Sequence, residues 1–144
     1  MVTPLVINDK KYSLNHSRDF PAQAQITELA RRKWYESPMP EVGTVIDAGA
    51  NIGAYSLYMS AFAKKIYAIE PYTPNYDYLA TNVIDNKLSN IKPFKLAFAG
   101  TNGKRHLNTS YNKADISAYS LLPVGEMAEI VETKTIAQFM SQEK

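Results

Sequence analysis

Two acidic residues and two glycines stand where a ligand could be held. Asp47 opens the run Asp47-Ala48-Gly49-Ala50-Asn51-Ile52-Gly53, and Glu70 follows 21 residues after Gly49. Glycines at 49 and 53 permit a sharp turn and let a ligand approach the backbone closely. An acidic residue about 20 positions past such a turn can accept hydrogen bonds from both hydroxyls of a ribose. A dinucleotide turn needs G-x-G-x-x-G under its pyrophosphate, but Ala48 and Ala50 occupy the first two glycine positions. A carboxylate at 47 would also repel pyrophosphate. It would attract a cation: opposite charges about 4 Å apart gain about 1 kcal/mol in bulk water and about 4 kcal/mol at a surface-like dielectric. The pattern therefore favours S-adenosylmethionine, which carries a sulfonium and an α-amino group and no phosphate. An NAD-dependent oxidoreductase fragment is disfavoured on the same grounds.

These residues need strands that end where they begin. Thr44-Val45-Ile46 is a short β-branched run of the kind found in buried parallel strands, and it runs directly into Asp47. Residues 54–62 read as a helix, with Tyr55, Tyr58, Met59 and Phe62 on one face. Lys65-Ile66-Tyr67-Ala68-Ile69 is a second strand, stopping at Glu70-Pro71. Thr73 and Pro74 read as an N-cap and first helical residue. Tyr76, Leu79, Ala80 and Val83 form the apolar stripe of the next helix. Residues 90–98 read as a third strand, interrupted by Pro93. This alternation predicts a three-layer α/β/α fold on a parallel sheet, Rossmann-like and incomplete. A turn at Thr101-Asn102-Gly103, a returning strand at 105–107, a strand at 130–133 and a helix starting at Thr135 complete the regular part. Residues 1–40 read as an N-terminal extension, irregular over 1–21 apart from a short hairpin near Asn8-Asp9. One helix follows over 23–36, and residues 41–144 form the partial domain.

The run Val45-Ile46-Asp47-Ala48-Gly49-Ala50-Asn51-Ile52-Gly53 resembles the FkbM-type methyltransferases, in which a Gly-Ala-Asn-Ile-Gly core is distinctive. The resemblance continues through Ala68-Ile69-Glu70-Pro71, Pro74-Asn75-Tyr76, Leu79 and Asn82-Val83. It weakens at Asn90-Ile91, Ala97 and Gly103, and is looser at 117–120 and 131–139. It implies transfer of a methyl group from S-adenosylmethionine to a hydroxyl of a sugar or other small metabolite. Carried over by motif, Asp47, Gly49, Asn51 and Gly53 surround the methionine part, Glu70 binds the ribose, and Pro71 borders the adenosine. The family continues into a fourth strand with a Lys-Ile-Asp-x-Glu-Gly-type segment that this sequence lacks. The expectation is a truncated methyltransferase, or a cofactor-binding module without activity of its own. Val45-Ile46 would then lie on an open apolar sheet edge, prone to self-association or to pairing with a second chain.

The composition excludes several other classes. The chain has 144 residues, a net charge of +2 and no cysteine. Disulfide scaffolds, Cys-based zinc sites and cysteine nucleophiles are therefore ruled out. Charge is balanced between the two halves, so no basic stripe suggests nucleic acid. Arg31-Arg32-Lys33 reads as a solvated helix face. No segment has the make-up of a signal peptide or the length of a membrane span, and the expected location is cytoplasmic. His16 and His106, the two histidines, read as ordinary surface or half-buried residues, so no base is assigned. No cluster has metal-ligand spacing. The expected acceptor is a small molecule or glycan.

Overall fold

The computed structural model describes residues 1–7, 10–16, 40–109, 119–123 and 125–143. The sequence-predicted helix over 23–36, with Arg31-Arg32-Lys33, lies outside them. At the centre are three strands, β3 (Val42–Ala48), β4 (Ala63–Ile69) and β5 (Ile91–Phe94), preceded in the chain by β1 (Val2–Ile7) and β2 (Lys10–Asn15). The three are parallel, in the order β3-β4-β5, with Val45 opposite Ile66 and Ala48 opposite Ile69. The crossovers are α1 (Ala54–Met59) and α2 (Thr73–Asp85). Pro93 is tolerated because β5 pairs with β4 alone among the described residues, and an edge strand can spare a donor.

Side chains of β4 alternate between two cores, as the pleat requires. Ile66 and Ala68 pack with Leu57 and Tyr58 of α1 and Leu79 and Val83 of α2. Tyr67 and Ile69 point the other way, toward Phe139 of α3 (Ile136–Gln142). Phe139 makes edge-on ring contacts with Tyr67, Phe94 and Phe98 at centroid distances of 5.4, 4.8 and 5.4 Å. This is the geometry aromatic quadrupoles favour. With both faces of β4 covered, the expected three-layer Rossmann-like arrangement is present.

The sequence-predicted third strand divides. Residues 91–94 stay with β4, while β6 (Ala97–Phe98) joins a second, mixed sheet of order β6-β9-β7-β8. Its other strands are β7 (Gly103–Thr109), β8 (Tyr119–Ser120) and β9 (Met127–Lys134). The expected strands at 105–107 and 130–133 are thus found, each longer than predicted. The predicted helix over 54–62 ends at Met59, and Tyr55 is exposed rather than on its buried face.

The strands expected on either side of Asn8-Asp9 are present, and residues 1–7 and 10–16 are more regular than predicted. β1 and β2 pair antiparallel over six residues each, Val2 with Asn15 through Ile7 with Lys10. The signal missed is a period-two alternation. Tyr12, Leu14 and His16 are all buried, and Tyr12 and Leu14 enter the α1/α2 core. Two asparagines, Asn82 of α2 and Asn86 at its C-terminal cap, fasten the hairpin. Asn86 exchanges hydrogen bonds with the backbone of Ser13 at 2.6 and 2.7 Å, and Asn82 Oδ1 accepts from Asn15 N at 2.6 Å. His16, expected at the surface or half-buried, is 1% exposed, with Nε2 2.9 Å from the Thr3 hydroxyl.

Candidate functional site

The turn between β3 and α1 takes the left-handed conformation at three of its five positions: Gly49 (φ 83°), Asn51 (φ 53°) and Gly53 (φ 89°). Glycine pays nothing there, and asparagine is the side chain that tolerates it best. A Cβ at Gly53 would lie 2.6 Å from Leu79 Cδ1, so α2 packs directly on the turn. A Cβ at Gly49 would meet open space.

Every N–H of the turn is used inside the protein. Gly49 and Ala50 both donate to the Ile69 carbonyl at 2.9 Å, and Asn51 donates to Glu70 Oε2 at 2.8 Å. Ile52 donates to the Asn51 side-chain oxygen at 2.7 Å, and Gly53 to the Ala50 carbonyl at 2.8 Å. Phosphate-binding glycine turns present such amides to the ligand. Here none of the five is left for an oxyanion.

Asp47 and Glu70 lie at the carboxyl ends of adjacent parallel strands, the usual place for a ligand in open α/β sheets. Asp47 is half-buried and accepts from the Ser56 hydroxyl at 2.6 Å and from the Ser56 backbone. It therefore also caps the short helix α1. Glu70 is buried and accepts from the backbone of Asn51 at 2.8 Å and of Tyr72 at 2.9 Å, with a further bond from the Asn75 side chain. Desolvation raises the pKa of both carboxyls above the usual carboxylate range, and the Asp47 charge adds to the rise at Glu70. Neither forms an ion pair among the described residues. A cationic ligand would relieve both. Pro71 is half-buried beside Glu70.

Several contributors escaped the sequence reading. Ser56 gives no sequence signal as a partner of Asp47. Tyr72, stacked on Tyr119 of β8 at 4.1 Å between centroids, continues the strand end beyond Pro71. Burial and the adjacent Tyr72 side chain push the Tyr119 phenol well above its ordinary pKa. Thr73 is the first residue of α2 rather than its cap. Its N–H and hydroxyl both donate to the Glu129 carboxylate of β9, each at 2.5 Å. Asn82 did have a signal, a polar residue three positions from Leu79 on the apolar face. Of the tyrosines near the site, Tyr58, Tyr76 and Tyr78 pack against the core. His106 is exposed on β7, and among the described residues no cluster of His, Asp and Glu could hold a metal. No helix among them is long and apolar enough to cross a membrane.

Fold and site together define a Rossmann-like α/β protein with a glycine turn bracketed by two carboxylates. No family model matches the chain. Over 105 residues it is 31% identical to the methyltransferase sdnD of Sordaria araneosa, a match covering 70% of this chain. The chain spans about 40% of the length of that curated relative. Similar solved structures include TYW2 of M. jannaschii in complex with AdoMet, 26% identical with a TM-score of 0.46, covering 65% of this chain and 42% of that one. The FkbM methyltransferase of Methylobacillus flagellatus KT is 15% identical with a TM-score of 0.46, covering 73% of this chain and 25% of that one. The resemblance to methyltransferases read from the sequence is borne out by the match to sdnD.

Proposed function

We propose that this chain carries the S-adenosylmethionine site of a methyltransferase acting on a hydroxyl of a sugar or other small metabolite. The observation that carries this reading is a turn with no free amide, flanked by two desolvated carboxylates without a basic partner among the described residues. Such a site disfavours phosphate and favours a cation. Asp47 keeps lone pairs beyond those used by Ser56, and these suit the α-amino group. Glu70 suits the ribose hydroxyls, its backbone bonds fixing the carboxylate plane. The open space beside Gly49 leaves room for the ligand chain, with Asn51, Gly53 and Pro71 forming its surroundings. The bound cofactor supplies an electrophilic methyl and its own leaving group, so the protein's task is positioning and exclusion of water.

A second reading, a cofactor-binding module that turns over only with another chain, is favoured by one observation. Among the described residues β3 pairs with β4 alone, leaving Val45 and Ile46 half-buried.

The test is an assay with tritiated-methyl S-adenosylmethionine against pools of glycans, hydroxylated metabolites and RNA. The proposal predicts label in a small hydroxylated product. Label in RNA would contradict the acceptor class. Cofactor binding without label in any pool would favour the second reading.

A further inference from the structure

We infer that Asn82 is a positioning residue of the cofactor site, holding the glycine turn from α2 and tying the N-terminal hairpin to it; this rests on the S-adenosylmethionine reading above. Asn82 is fully buried on the face of α2 that carries Leu79 and Val83. Its side chain makes every hydrogen bond an amide can make. Nδ2 donates to the Ile52 carbonyl at 2.8 Å and to the Asn15 carbonyl at 3.1 Å. Oδ1 accepts from Asn15 N at 2.6 Å and Asn15 Nδ2 at 3.0 Å.

The bond to Ile52 matters because of what it orients. The peptide between Ile52 and Gly53 is held at both ends, its carbonyl by Asn82 and its N–H by the Ala50 carbonyl. The rest of the turn is pinned from the β4 side, by the Ile69 carbonyl and the Glu70 carboxylate. Asn82 supplies the opposing pin. A turn with three left-handed residues has many competing conformations, and a buried polar group satisfied on all sides selects one. Asn82 is buried behind the turn, with its hydrogen bonds made within the protein. It acts through the turn, and through Asn15 the order of β2 is coupled to the same amide.

Asn82→Asp separates the two arms. It keeps the shape and both acceptor bonds from Asn15 but loses the donors to the Ile52 and Asn15 carbonyls. Asn15→Ala spares the Ile52 bond and removes only the Asn15 side-chain bonds to Asn82 and Asp85. Calorimetry with S-adenosylhomocysteine, urea unfolding and amide exchange are read on wild type and both variants. The expected result is about tenfold weaker binding in Asn82→Asp, with faster exchange at residues 52–54. Asn15→Ala is expected to lose stability and keep affinity within about twofold. Should Asn82→Asp not fold, Asn82→Ser removes both amide donors without adding charge. Wild-type affinity in the folded Asp or Ser variant would overturn the inference. So would equal affinity losses in the Asn82 and Asn15 variants. If the wild type binds no S-adenosylhomocysteine, the cofactor reading fails separately. Exchange then decides the positioning claim: acceleration confined to the turn supports it, and unchanged exchange overturns it.

Discussion

At Gly53 a methyl group would be driven against Leu79, while at Gly49 it would enter empty space, though both backbones are left-handed. The two positions should therefore respond differently to alanine. Gly49→Ala is expected to cost about 1–2 kcal/mol, the backbone penalty alone. Gly53→Ala should cost that and about 1–3 kcal/mol more for overpacking a buried side chain, and urea unfolding measures both. The carboxylates give a pH signature. Their folded-state pKa values are raised, so both groups oppose folding when charged. Stability from this source is fully present below the unfolded carboxylate range and is lost as pH rises through the higher folded values. A cation binds only the charged forms, so affinity should fall as pH drops through that same window. Melting curves across pH, with and without S-adenosylmethionine, check both signs. Glu70→Ala should weaken cofactor binding by about 1–3 kcal/mol, the loss of charged hydrogen bonds. The placement of Asp47 and Glu70 at neighbouring strand ends, flanking a turn with glycines at 49 and 53, was legible in the sequence from residue type and spacing. Ser56 and Glu129 were not, since only the folded chain brings a residue of α1 or β9 to these groups.

Among the elements, α2 carries the most. It packs on the turn through Leu79, fastens the hairpin through Asn82 and Asn86, and has its first turn capped by Glu129 of the second sheet. The sequence placed the helix correctly and its cap one residue late. A threonine before a proline reads as a cap, but the Thr73 hydroxyl donates outward to Glu129 instead of accepting from its own helix. Replacing Glu129 by alanine should lower stability by about 0.5–2 kcal/mol, the range for losing a helix cap. Denaturant titration reads that loss. β3 and β4 were readable from their β-branched, apolar runs. The hairpin of β1 and β2 was readable near Asn8-Asp9, but its length was not, because a polar outward face, Lys11 and Ser13, hid the inward alternation of Tyr12, Leu14 and His16. Strand β6, two residues long, has too short a pattern to be seen before its partner β9 is known.

For the molecule as a whole, the layers follow from β4 burying both faces, and that was legible from the apolar run Ile66-Tyr67-Ala68-Ile69 between two helices. The second sheet was only partly legible, because its order interleaves strands distant in sequence. What unites the parts is the site at the carboxyl edge of the first sheet, supported by the hairpin from one side and by Tyr119 and Glu129 from the other. Its ligand is tested most directly by calorimetric titration of the intact chain with S-adenosylhomocysteine, S-adenosylmethionine and NAD. Saturable binding of the two adenosyl ligands, tighter for the sulfonium form near neutral pH and absent for NAD, is the predicted result. Binding of NAD with no response to either adenosyl ligand would contradict it.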